Sequence, residues 1–177
     1  MIFTGRFPKK EHIVQVYAVA VTLLYSWAIF ASLKDFTTNW GLFLGLADIL
    51  GITAYVLAGA LLESLLLLAA LLLIAFILPK KLFAEKFVLY GSILAIALTG
   101  SLMYLYTQIP TSDIIDHITD WATAFLGGTA VLVIIGETVP FVRKAFELLA
   151  ERCVAFLYIY LPVSILSILL ILARNLF

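Results

Sequence analysis

A single cysteine, Cys153, rules out an internal disulfide and any cysteine-rich metal framework. Charge is scarce as well: 12% of the 177 residues are charged, where a soluble domain carries about a quarter. Those charges sum to zero. Without a basic stripe the chain has no electrostatic footprint for nucleic acid, which is excluded as a partner. There is no phosphate-binding glycine loop, no His-Glu-x-x-His pair and no Gly-x-Ser-x-Gly elbow. A voltage sensor needs arginines at three-residue spacing, and a potassium-type pore needs a carbonyl-filter sequence; neither is present. No internal repeat supports an inverted-repeat transporter. The expectation is a protein that is not an enzyme and holds no cofactor.

What the chain does have is apolar surface. Hydrophobic residues make up 64% of it and the mean hydropathy is +1.16. A water-soluble fold has nowhere to hide this much, whereas a bilayer requires it. The fold class expected is all-α: a polytopic integral membrane protein, one domain over 1–177, with five transmembrane helices and short interfacial or re-entrant helices. The spans fall at about 12–33, 57–78, 87–106, 121–142 and 154–173, each long enough for roughly 30 Å of hydrocarbon at about 1.5 Å per residue. Pro79, Lys80 and Lys81 stop the second span. The first run is longer than a signal-peptide core and lacks a small-x-small cleavage site, so it reads as a retained span.

Basic residues give the orientation. Segments 1–11, 79–86 and 143–152 hold nine of the eleven Lys and Arg, and only Lys34 and Arg174 fall elsewhere. Cytoplasmic loops retain positive charge, so the chain is expected N-in and C-out. The natural location is multi-pass in a prokaryotic plasma (inner) membrane.

Three pieces do not fit whole spans. Residues 40–53 are expected as a separate interfacial or re-entrant helix, anchored by Trp40 and broken near Gly51. Residues 112–120 form an outer amphipathic helix. Residues 143–152 form an inner one, either on the surface or running directly into the fifth span. Tyr104, Trp121, Phe87 and Tyr90 read as interfacial anchors. Small residues at four-residue steps mark close helix contacts: Ala18, Thr22 and Ser26; Gly91, Ala95 and Thr99; Ala124 and Gly128.

Polar chemistry gathers in "PTSDIIDHITDW", 110–121, where Asp113, Asp116, His117 and Asp120 share one helical face. They are weak metal candidates, because one helix usually supplies two ligands and a site needs more. The isoleucines and Trp121 make the opposite face, so a solvated side of an interfacial helix is the favoured reading. Glu63 is the sharper feature: it lies about 24 Å of helix from the stop at Pro79, inside a span. A carboxylate there is expected to be neutral, paired or facing a polar cavity. With Asp48 and Glu137 it forms the set of ion- or proton-binding candidates. Glu137 precedes Pro140, which is expected to kink the fourth span, with Arg143 or Lys144 as the structural partner of Glu137. Pro162 should kink the fifth, its freed backbone group met by Ser164 or Ser167. His12 reads as a surface histidine.

The leading functional expectation is a non-catalytic subunit or scaffold. It would pack in the lipid bilayer with other membrane subunits or with itself. The alternative is a small oligomeric ion- or proton-coupled transporter or channel using the intramembrane carboxylates. A membrane enzyme with an outer acidic site comes third.

Overall fold

The computed structural model describes residues 7–37, 44–80, 83–108 and 114–176. These residues are all-helical, with five helices long and apolar enough to cross a membrane: α1 (Lys10–Asp35), α2 (Leu46–Ile77), α3 (Phe87–Gln108), α4 (Ile114–Thr138) and α5 (Pro140–Leu176).

Proline sets three of the boundaries. Pro8 has no N–H to give, and Lys9 after it is extended, so α1 starts at Lys10. Leu78 is extended because Pro79 follows, which ends α2. Val139 precedes Pro140 and lies outside the helix for the same reason. Pro140 is therefore the first residue of α5, where its missing donor does no harm, and not a kink inside the fourth helix.

One further expectation changes. No separate piece stands apart from the second helix over 46–53: α2 runs unbroken through Gly51, while Trp40 lies outside the described residues. Gly51 has a packing role instead. The Arg174 guanidinium crosses it on the way to Asp48, 3.5 Å away, and a Cβ there would collide with that group. The segment 143–152 belongs to α5, and α4 takes in 114–120 as its first turns.

The centre of the bundle is α1. Ala18, Val19, Ala20 and Val21 are all buried, and four consecutive buried residues face every direction around a helix. α2, α3 and α5 surround it, whereas α2 and α3 barely meet. Where α1 meets α3, a Cβ on Gly91 would come within 2.8 Å of a Val16 methyl, so this approach needs glycine. Ala95 and Thr99 continue that buried stripe. Tyr25 links α1 to α5: its hydroxyl hydrogen-bonds Ser164, and its ring stacks on Tyr160 with centroids 4.7 Å apart. Ser164 and Ser167 donate to the carbonyls of Tyr160 and Val163. Neither reaches Tyr158, whose carbonyl is the one Pro162 leaves without its helical donor.

α4 is the outlier. It touches mainly α3 and packs little against α5. Among its described side chains only Gly136 is buried, against Leu89 and Ile93 of α3. Gly128, from the stripe expected at a helix contact, has open space where a Cβ would stand.

Candidate functional site

Glu63 stands on the surface of α2, exposed and with no hydrogen bond or ion pair among the described residues. It lines a groove of about 660 Å³ walled by α2 and α3, with α1 as its floor. The groove exists because α2 and α3 both lean on α1 but hardly touch each other. Trp27 and Leu24 come from α1, Leu66 and Leu67 from α2, and Leu98 and Leu102 from α3. Besides Glu63 and the indole of Trp27, its lining includes the polar residue Thr99. Thr99 is 4% exposed, and its hydroxyl has no partner. Most side-chain hydroxyls on these helices bond back to a carbonyl one turn earlier, as Thr22 does to Ala18 at 2.7 Å. Thr99 does not.

A neighbouring cleft of about 320 Å³ opens between α1 and α2 toward Asp35 and Ser32, and Glu63 lines that one too. The carboxylate thus sits on the ridge between two openings. It is neither a dry packed pair nor a polar pocket.

The other two candidate carboxylates are engaged. Glu137 takes two hydrogen bonds from the Lys86 ammonium, one of them at 2.6 Å, and a third from the Tyr90 hydroxyl at 2.6 Å. This ties the end of α4 to the start of α3, and the side chains of the ion pair are about a third exposed. Arg143, expected as the partner of Glu137, bonds Glu147 one turn on at 3.0 Å. Asp48 pairs with Arg174. Glu63, Asp48 and Glu137 therefore do not converge. In sequence Tyr90 reads as an interfacial anchor and Lys86 as one basic residue among nine. Their signal was level: Lys86 opens α3 and Glu137 closes α4, so antiparallel neighbours bring them together.

In the acidic cluster, Asp113 lies outside the described residues and Asp116 is placed only by its backbone in α4. His117 and Asp120 are exposed and face a groove of about 510 Å³ between α3 and α4, with Tyr104 and Ser101 opposite. Trp121 donates its indole N–H to the Ser101 carbonyl at 3.3 Å, holding this end of α4 to α3. Among the described residues no group of three or more His, Cys, Asp or Glu side chains could hold a metal ion.

No family model matches the chain, and no curated protein or solved structure matches it closely enough to count as a relative. Function has to be argued from the site.

At the opposite end of the bundle, Glu11, Glu85, Glu147, Glu151, Lys86 and Arg143 gather around a cleft of about 360 Å³. His12 lines it, its Nδ1 buried without a partner. Charges of both signs interleave here, consistent with a solvated end of the bundle.

Proposed function

We propose that the protein is a non-catalytic subunit of a membrane complex, spanning a prokaryotic plasma membrane five times with its N-terminus inside. It packs with another membrane component through the groove between α2 and α3. One observation carries this reading: of the three candidate carboxylates Glu63, Asp48 and Glu137, Glu63 alone has no partner among the described residues, and it faces an opening rather than the core. A carboxylate at that depth is costly against lipid, and a neighbouring protein surface relieves the cost. The clustering of nine basic residues in three alternate segments supports the orientation.

An ion- or proton-coupled transporter is the weaker reading. A relay through Asp48 and Glu137 would first have to break the ion pairs in which both are engaged.

Photo-crosslinking in native membranes tests the subunit reading. A photoreactive residue at Leu66, on the groove, should give one adduct of defined mass in high yield. The same residue at Phe141, exposed at the start of α5, should give lipid adducts only. A protein that yields no protein adduct from Leu66 and runs as a monomer in mild detergent overturns the subunit reading.

A further inference from the structure

The groove at Glu63 also constrains the chemistry of what fills it, and this step rests on the subunit reading above. We propose that the occupant is a transmembrane helix of a different protein carrying a lysine or arginine at the level of Glu63.

The first argument is charge complementarity. Glu63 offers two carboxylate oxygens with no donor among the described residues, in a setting where unmet charge is expensive. The second is Thr99. Its hydroxyl is buried and unpartnered, and the residue forms part of the same groove's wall. An ammonium group carries three donors and a guanidinium five. Either carries more donors than one carboxylate uses, and Thr99 puts a second orphaned acceptor in the same wall. The third argument is the walls. Leu66, Leu67, Leu98 and Leu102 suit the aliphatic stem of Lys or Arg, which packs along apolar surface while its head seeks polar partners. Ala31 and Ala70 line the groove as well, and small residues let a helix backbone approach.

The fourth argument removes a second copy of this chain. Residues 11–33, 35–79, 87–142 and 153–173 contain no Lys or Arg. Every basic residue lies at a helix end or beyond it except Arg152, which follows Glu151 at the cleft of Glu11 and Lys86, the end of the bundle away from Glu63. Lys34, beside the Asp35 that shares a cleft with Glu63, is the basic residue of a parallel copy nearest this level, and it already has a partner in its own chain, so the basic group must come from another protein.

The test uses the full-length chain in phosphatidylcholine vesicles with a host peptide of Leu and Ala carrying one Lys about a turn below one end of its apolar stretch, the level of Glu63. A matched host has Leu at that position. Association is read by energy transfer. The Lys host should bind roughly tenfold more tightly than the Leu host. Glu63→Gln should abolish the difference, Glu63→Asp should retain part of it, and Thr99→Val should reduce it by roughly half. Circular dichroism and the melting temperature of each variant establish that it is folded. Equal binding of the two hosts overturns the proposal, as does a Lys preference that survives in Glu63→Gln. Dodecylammonium that displaces neither host supports a helix as the occupant. Dodecylammonium that binds in a Glu63-dependent way while the Lys host does not overturns it in favour of a small amphiphile. The Leu66 adduct in native membranes separates the two readings. An adduct equally abundant in wild type and Glu63→Gln leaves the subunit standing and overturns the charged partner. Its absence from wild type overturns the subunit itself.

Discussion

Glu137 on α4 and Glu63 on α2 are the same residue type on two helices of the bundle's periphery, yet their surroundings are opposite. Glu137 holds α4 to α3 through Lys86 and Tyr90, so its charge is used within the chain. Glu63 holds nothing described and faces an opening. A carboxylate whose partners lie within the fold reports on stability. One whose partners are missing reports on what the fold meets. The two should therefore answer mutation with opposite signs.

The largest loss belongs to Glu137→Leu, which strands the Lys86 ammonium. In a fully buried pair this costs about 3–5 kcal/mol; for this surface pair with its added Tyr90 hydrogen bond, about 1–2 kcal/mol is expected as a fall in thermal stability in detergent. Adding Lys86→Met should restore most of the loss, because both charges are then gone. Glu63→Leu should act in the other direction, stabilising the isolated chain by about 1–2 kcal/mol in a lipid bicelle. A drop in stability there would mean that Glu63 has a partner inside the chain, and the contrast would collapse.

The same comparison repeats with hydroxyls. Tyr25 has a partner in Ser164, so Tyr25→Phe should lower stability by about 1 kcal/mol, read in the same melting experiment. Thr99 has none, and Thr99→Val keeps the shape while removing the orphaned oxygen. Its effect should be the smallest of the set, neutral or stabilising by about 0.5 kcal/mol.

How much of this could be read from the residues alone differs by scale. The five apolar runs were legible because span length and hydropathy are local properties. Helix ends were legible at Pro79, but two were misjudged. Pro140 was read as a kink, although the restriction it places on Val139 makes it a helix start. Gly51 was read as a break, although the glycine serves the passage of a side chain from residue 174. That contact is set by how α2 and α5 lie together, and nothing near Gly51 in sequence announces it. Glu63 could be singled out from its neighbours, since a carboxylate amid leucines is conspicuous. The orphaned hydroxyl of Thr99 could not be. In sequence it completes a stripe of small residues, and only the placement of α3 against α1 buries its oxygen without a partner.

Cys153, 6% exposed, lies in the apolar cluster that α1, α2, α3 and α5 build, and α4 contributes nothing to that cluster. As the only thiol in the chain it can be alkylated at one place alone. Release of α4, held to α3 chiefly at its two ends, would leave this sulfur shielded; separation of the central helices would bare it. The rate of thiol alkylation is thus a clock built into the protein, one that ignores the departure of its loosest helix and starts only when the centre comes apart.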